Sequence, residues 1–271
     1  MHKSNVVIIT GAAGGIGRAT AHAFAAEGYR LTLSDLDENA LIGLAAELSS
    51  QYATRCFPLA GDLADSTYLQ AIVSETVAKW GSINVLVNNA AWRTLESLRT
   101  MKLDDWERTL KVCLTAPAFL TKWAAEVMEA NGNPGVIINI TSMMASRPSG
   151  MGSGYIAAKG GLESLIRETA ATYGRSGIRV VGVAPGYVET PLSRDYQGED
   201  GENISQQLID ELVDFVPLGR GGDPAEIAEA IRWLASGSAS YITGTTLLVD
   251  GGFSPNFNKY SIKKRQLPNE F

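Results

Sequence analysis

Cysteine and histidine are scarce in this 271-residue chain. The two cysteines, Cys56 and Cys113, cannot build a disulfide framework, and with the two histidines, His2 and His22, they show no metal-ligand spacing. We therefore predict no metal site and a reducing, cytoplasmic environment. Long apolar runs are also missing. No run approaches the ~18 residues of a membrane span, and the run VVIIT near the start is too short for a secretory signal.

Basic residues are outnumbered by acidic ones, which gives the chain a net charge of −6. This balance argues against nucleic acid or an anionic membrane as the main partner. The partner that we predict is a small-molecule substrate. Hydrophobic residues make up 45% of the chain and charged residues 19%, so a large buried core is expected.

Seven short β-branched runs alternate with alanine-rich segments of helical spacing. The predicted strands are residues 5–10, 30–34, 54–59, 83–88, 135–141, 178–184 and 245–249. The predicted helices are residues 16–27, 38–49, 66–80, 103–130, 155–175 and 224–236. Continuously apolar strands between helices are typical of a parallel sheet covered on both faces. Right-handed crossovers then give a doubly wound α/β fold of Rossmann type in one domain.

Two segments interrupt this alternation. Residues 187–215 form a polar excursion after a strand, as expected for a mobile lid over a site. Residues 254–271 follow the last strand, and we expect a frayed or surface-docked tail outside the domain of residues 1–253.

A glycine-rich turn, TGAAGGIG at residues 10–17, follows the first strand and opens a helix. Such a turn directs backbone N–H groups and the positive end of the helix at a phosphate. Gly11 would allow the tight turn, Gly15 the close approach of a pyrophosphate, and Gly17 close packing of helix on strand. An ordinary glycine-rich turn is the alternative.

Asp35 ends the second strand, where a carboxylate accepts hydrogen bonds from an adenosine ribose and repels a 2′-phosphate. Neither Leu36 nor Ala13 supplies a cation for that phosphate, so the sequence favours NAD over NADP. Asp62, after the third strand, is a candidate to bind the adenine ring, with a helix N-cap as the alternative.

Several motifs occur together in a fixed order: TGxxxGxG at 10–17, NNAA at 88–91, Ser142, YxxxK at 155–159 and PG at 185–186. In this combination the chain, over roughly residues 5–252, resembles the short-chain dehydrogenase/reductase family. The resemblance implies a seven-stranded doubly wound sheet and reversible hydride transfer at a nicotinamide. The cofactor contacts it implies are Gly11, Gly14, Gly15, Ile16, Gly17, Asp35, Leu36, Asp62, Leu63, Asn89, Ala90, Tyr155, Lys159, Pro185, Gly186, Val188 and Thr190.

Tyr155 and Lys159 are four residues apart, which places them on one helical face. Oxidation of a secondary alcohol needs a base, and free tyrosine, with a pKa near ~10, is a poor one. A nearby ammonium favours the phenolate. We predict Tyr155 as the acid/base, Lys159 as its activator and a ligand of the nicotinamide ribose, and Ser142 as a partner of the substrate oxygen.

Two positions depart from the family pattern. Cys113 stands where the family has an asparagine thought to hold a proton-relay water. A thiol is a weak hydrogen-bonding group, so the relay would be altered, unless Cys113 is simply a small buried filler. Gly182 replaces another frequent asparagine, with less expected consequence.

Substrate selection is expected from residues 92–97, 143–154 and 187–215. Their polar members suit a sugar or polyol, with Trp92 and three methionines as apolar walls. The polar candidates are Arg93, Glu96, Arg147, Ser149, Ser153 and Arg194, of which we select Arg93, Arg147 and Ser153 as substrate contacts. The alternatives are a 3-oxoacyl thioester reductase and a non-catalytic NAD-binding scaffold. Helices 103–130 and 155–175 are apolar on more than one side, and with the resemblance they predict a homodimer or homotetramer.

Overall fold

The computed structural model describes residues 5–198 and 200–271, so His2 and Glu199 lie outside the described residues. Seven parallel strands form one sheet in the order β3-β2-β1-β4-β5-β6-β7. Their bounds are β1 Val6–Thr10, β2 Arg30–Asp35, β3 Cys56–Ala60, β4 Val85–Asn88, β5 Val136–Ile140, β6 Arg179–Pro185 and β7 Thr246–Val249. All seven predicted strands and the doubly wound fold are confirmed.

The central strands are buried on both faces. Every residue of β1 is almost fully buried. Its alternate side chains enter two hydrophobic clusters, with Val7 and Ile9 in one and Ile8 in the other. This explains why the strands are continuously apolar instead of alternating.

Helices cover both faces of the sheet. Their bounds are α1 Gly15–Ala26, α2 Glu38–Tyr52, α3 Ser66–Trp80, α4 Leu103–Leu110, α5 Ala116–Ala130, α6 Ser153–Tyr173, α7 Ser205–Val213, α8 Pro224–Ala235 and α9 Tyr260–Gln266. The predicted helix 103–130 is interrupted by a π-helical turn, Lys111–Thr115, between α4 and α5. Within the described residues, no helix is long and apolar enough to cross a membrane.

The two irregular segments contain more structure than the sequence prediction gave them. Residues 187–215 include a 3₁₀ turn, Pro191–Arg194, and helix α7. Helix α9 lies in the tail, where the backbone N–H of Tyr260 donates to the carbonyl of Asp214 just after α7. The tail is therefore docked against the end of the 187–215 segment, which we call the lid.

Strand order reverses between β1 and β4, so the loops that follow these strands diverge. Divergence of this kind opens a crevice at the carboxyl ends of the strands of a doubly wound sheet. The topology therefore locates the candidate site before any side chain is considered.

Candidate active site

A cleft of about 1140 Å³ occupies this edge of the sheet. Loops after β1, β2 and β3 line one part of it. Loops after β4, β5 and β6, together with the lid and Phe253 of the segment after β7, line most of the rest, and α4, the π-helical turn and α6 contribute further residues. The cleft is large enough for a dinucleotide and a second small molecule.

The glycine turn is packed too closely for side chains. Gly11 has φ +63°, which favours glycine, and a Cβ on Gly17 would lie 2.0 Å from the carbonyl oxygen of Gly11. The amide Nδ2 of Asn89 donates to the carbonyls of Thr10 and Gly11, each at 3.0 Å. The predicted cofactor residue Asn89 thus braces the turn from the neighbouring strand.

The lid begins against the same turn. A Cβ on Gly15 would lie 2.6 Å from the Cγ2 atom of Thr190. Val188 makes a bridge with Gly222, and the backbone N–H of Glu189 donates to the carbonyl of Gly222 at 2.9 Å. Val188 and Thr190 therefore line the cleft, and backbone hydrogen bonds hold this segment in place. This position is compatible with the predicted cofactor contacts.

Asp35 lies at the end of β2 and borders the cleft. One carboxylate oxygen accepts from the backbone N–H of Ala13 at 2.9 Å, and the other accepts from Leu36 at 2.7 Å. The side chain is thereby oriented beside the glycine turn, which fits recognition of an adenosine ribose.

The sequence gives Asp62 two candidate roles, as a ligand of the adenine ring or as a helix N-cap, and the structure shows a third partner. Its carboxylate forms an ion pair of 2.9 Å with Arg108, whose guanidinium lies 5.4 Å from the ring centroid of Trp92. Asp65, not Asp62, caps helix α3 through the N–H of Thr67. The N-cap alternative for Asp62 is therefore wrong, and Arg108 is a cleft residue that no sequence pattern indicated.

Ser142, Tyr155 and Lys159 all line the cleft. Lys159 is 2% exposed, and its Nζ donates to the carbonyl of Ile140 at 2.6 Å. The same Nζ lies 5.4 Å from the centroid of the Tyr155 ring. Ser142 follows β5, and its Oγ accepts from the backbone N–H of Met144 at 3.1 Å. The structure thus brings the three predicted catalytic residues into one site.

Cys113 lies in the π-helical turn and is fully buried. Its thiol donates to the carbonyl of Trp92 at 3.3 Å and accepts from the N–H of Trp92 at 3.4 Å. The adjacent residue, Val112, lines the cleft. The side chain of Cys113 therefore secures the loop after β4, and Cys113 itself is not among the residues that line the cleft.

We expect Cys113→Ala to lower the free energy of unfolding by about 1–2 kcal/mol, since a buried sulfur and its two weak hydrogen bonds are lost. Turnover should stay near that of the unmodified protein, because the thiol is held by Trp92 and not by the reacting groups. Chemical denaturation and steady-state kinetics measure the two effects. A large fall in turnover at unchanged stability would show that the thiol takes part in proton transfer.

Of the three predicted substrate contacts, two line the cleft and one does not. Arg93 lines the cleft but donates to the carbonyl of Leu192 at 2.7 Å and pairs with Asp195 at 3.0 Å. Arg147 also lines the cleft, and its Nη1 donates to three carbonyls of the chain's last segment. Ser153 begins helix α6 and is not among the residues that line the cleft, so the geometry gives its predicted substrate contact no support.

Sequence reasoning missed the contribution of the lid helix. Leu208, Leu212 and Phe215 line the cleft from α7 and the residues after it. The i, i+4 spacing of Leu208 and Leu212 was the available signal, and the polar residues around them obscured it. Tyr187 was also missed; it lines the cleft beside Gly186, and burial raises the pKa of its phenol. In the described ranges, no group of three metal-ligating side chains occurs.

Comparison with known proteins gives several matches along most of the chain. A family model described as enoyl-(acyl carrier protein) reductase matches residues 11–254. The cis-4-hydroxycyclohexanecarboxylate dehydrogenase of Sinomonas cyclohexanicum is 35% identical over 92% of this chain and 96% of its own length. The galactitol 2-dehydrogenase (L-tagatose-forming) of Cereibacter sphaeroides is 35% identical over 91% of this chain and 93% of its own.

A 3-oxoacyl-acyl-carrier-protein reductase of Thermotoga maritima is 32% identical over 92% of this chain and 98% of its own length. Among solved structures, a short-chain type dehydrogenase/reductase from Mycobacterium marinum superimposes with a TM-score of 0.83 at 27% identity, covering 93% of this chain and 96% of the other. These matches agree with the fold and with the arrangement of the cleft, and the chain belongs to the short-chain dehydrogenase/reductase family.

Proposed function

We propose that this protein is an NAD-dependent oxidoreductase that interconverts a secondary alcohol and its ketone, with Tyr155 as the acid/base. The observation that carries the proposal is the buried position of Lys159, 5.4 Å from the Tyr155 ring, in the cleft that the glycine turn also lines. An ammonium is costly to bury, and this one has a carbonyl as its hydrogen-bond partner. Since that carbonyl is neutral, the positive charge of Lys159 can act on the neighbouring phenol of Tyr155.

The chain's own groups account for the proton transfer. Tyr155 takes the proton of the substrate hydroxyl in oxidation and returns it in reduction. The ammonium of Lys159 stabilises the negative charge that develops on the phenolic oxygen. Ser142 presents a hydroxyl that orients the substrate oxygen. A nicotinamide dinucleotide, when bound, supplies the acceptor or donor of the hydride.

The choice of NAD over NADP follows from the carboxylate of Asp35. It lies at the end of β2, fixed by the N–H groups of Ala13 and Leu36. A 2′-phosphate at the ribose would meet this negative charge without a compensating cation from Leu36 or Ala13. NAD carries a free 2′-hydroxyl that can donate to the same oxygen atoms.

Two kinds of alcohol have support as substrates. Galactitol 2-dehydrogenase acts on a polyol, in line with the sugar or polyol class that the sequence predicts. The name of the Sinomonas relative instead describes a hydroxyl group on a cyclohexane ring. The acyl-carrier-protein reductase keeps the thioester alternative open. Reductive synthesis usually draws on NADPH, which the carboxylate of Asp35 disfavours.

The proposal is tested by mixing the protein with NAD or NADP and a panel of secondary alcohols and following formation of the reduced cofactor. We expect turnover with NAD and a much lower kcat/KM with NADP, because Asp35 disfavours the 2′-phosphate. If the protein bound NAD tightly but neither oxidised any alcohol nor reduced any ketone, this result would contradict the proposal and favour a scaffold.

A further inference from the structure

The part of the cleft lined by the loops after β4 and β5, by the lid and by Phe253 is here called the substrate compartment. Three charged side chains line it in the described residues: Arg93, Arg147 and Glu211. Each of the three already has a protein partner. The compartment therefore offers a ligand fewer charged contacts than its composition suggests.

Arg93 holds the lid. Its guanidinium bonds the carbonyl of Leu192 and the carboxylate of Asp195, and it stacks 5.5 Å from the ring centroid of Tyr196. The Arg93 side chain is only 10% exposed. A substrate oxygen would have to displace lid contacts to reach this cation.

Arg147 holds the segment after β7. Its Nη1 donates to the carbonyls of Phe253, Ser254 and Asn256 at 2.9, 2.6 and 3.1 Å, and its guanidinium lies 5.3 Å from the Phe253 ring centroid. This fixes Phe253 in the compartment wall. Arg147 therefore positions an aromatic ring in the compartment and does not present a free charge to a ligand.

Glu211, the third charged group, forms an ion pair with Lys259 of the tail. The tail is tied to the lid at two further points. Asp214 accepts from the backbone N–H and hydroxyl of Ser261, and the Asn256 amide donates to the carbonyl of Phe215. Residues 256–261 therefore hold the end of the lid in place, and Lys259 among them neutralises the charge of Glu211.

The remaining wall is mostly apolar. It includes Trp92, Met144, Leu208, Leu212, Phe215 and Phe253, of which the last two pack with ring centroids 5.8 Å apart. Two serines that line the compartment are engaged locally, while the hydroxyl of Tyr187 in the lid is buried without a hydrogen-bond partner in the described part of the chain. Ser146 donates to the carbonyl of Met143, and Ser149 bonds both backbone groups of Met151.

We infer that the substrate carries its reacting hydroxyl on an apolar body and not on a polyhydroxylated one. The inference rests on the proposed function, since it concerns the alcohol that Tyr155 would oxidise. A polyol would lose its water hydrogen bonds in this compartment, and each unpaired hydroxyl weakens binding by about 5- to 150-fold. Each apolar methylene strengthens it by about fourfold.

The test compares alcohols that share one ring. The protein with NAD is assayed with cyclohexanol, 4-methylcyclohexanol, 4-ethylcyclohexanol and myo-inositol, which bears five more hydroxyls than cyclohexanol. We expect kcat/KM to rise about fourfold with each added carbon and to fall at least about 100-fold for the inositol. Equal or faster oxidation of myo-inositol or galactitol would overturn the inference. So would a strong preference for 4-hydroxycyclohexanecarboxylate over 4-methylcyclohexanol, because that anion needs a free cation.

A binding measurement separates this inference from the proposed function. Calorimetry of Tyr155→Phe with NAD compares 4-ethylcyclohexanol with myo-inositol without requiring turnover. Tighter binding of 4-ethylcyclohexanol supports the apolar compartment even if the unmodified protein oxidises none of the alcohols. Tighter or equal binding of the inositol, or no binding of either, contradicts it.

Two variants of matched chemistry locate the effect. Leu212→Asn keeps the branched shape and the number of heavy atoms of a compartment side chain but makes it polar, so the preference for 4-ethylcyclohexanol over cyclohexanol should fall about tenfold. Leu218→Asn makes the same exchange at a side chain that is 67% exposed and should leave the preference unchanged. Thermal unfolding of both variants checks that each is folded. An unchanged preference in folded Leu212→Asn would overturn the assignment of this wall.

Discussion

Replacing Tyr155 with phenylalanine is expected to lower kcat for NADH formation by about 10²–10⁴-fold, the usual contribution of a positioned acid/base. The substitution removes one oxygen atom and keeps the ring that lies beside Lys159. Binding of NADH should therefore survive. Steady-state absorbance assays measure the first quantity, and titration of NADH fluorescence measures the second.

Tyr173→Phe is the matched control, because Tyr173 lies at the other end of the same helix, α6. It removes the same atom outside the cleft and should leave kcat unchanged. If Tyr155→Phe kept normal turnover, another group would have to move the proton. If the unmodified protein bound NADH without turning over any alcohol or ketone, the scaffold alternative would replace the dehydrogenase.

The fold was largely predictable because its signals are local and repeated. Each strand of the sheet core is a short apolar run, and each crossover helix has a regular apolar period. The π-helical turn Lys111–Thr115 was not predictable, because residues 103–130 are apolar on more than one side and this hides the rotation of about 100° that one extra residue causes. That turn decides where the Cys113 thiol lies, and with it the partner that the thiol finds.

The meeting of the three candidate catalytic residues was predictable for a different reason. Tyr155 and Lys159 are close because helix geometry places residues four apart on one face. Ser142 joins them because β5 ends beside the start of α6, an arrangement that the doubly wound order dictates. None of the three depends on a long-range side-chain contact that the sequence conceals.

The substrate compartment depends on such contacts. Arg93 and Arg147 are polar in the sequence and suggest a polar ligand, but their partners lie 102 and 106–109 residues away along the chain. The two guanidinium groups are bound to the lid and to the segment after β7, so they are not free to bind a substrate. The composition of a loop therefore predicts its potential contacts, while the tertiary partners determine which of them a substrate can use.

Under the proposed function, we expect selection between NAD and NADP to depend mainly on the carboxylate of Asp35. Ala13 and Leu36 donate backbone N–H groups to Asp35, and Leu36 is 60% exposed beside it. An amide at position 35 retains an oxygen for the N–H of Ala13 but carries no charge. An arginine at position 36 would supply the cation that a 2′-phosphate needs, in the fork geometry that phosphate binds best.

The double substitution Asp35→Asn with Leu36→Arg is therefore expected to move cofactor preference from NAD toward NADP. Loss of a charge-assisted hydrogen bond to the ribose should lower kcat/KM for NAD by about 10- to 150-fold. Removal of the repulsion and gain of an arginine should raise kcat/KM for NADP over a similar range. Glu38→Gln, which deletes a nearby exposed charge in the first turn of α2, should change neither value. A preference for NADP already present in the unmodified protein would show that Asp35 does not read the ribose.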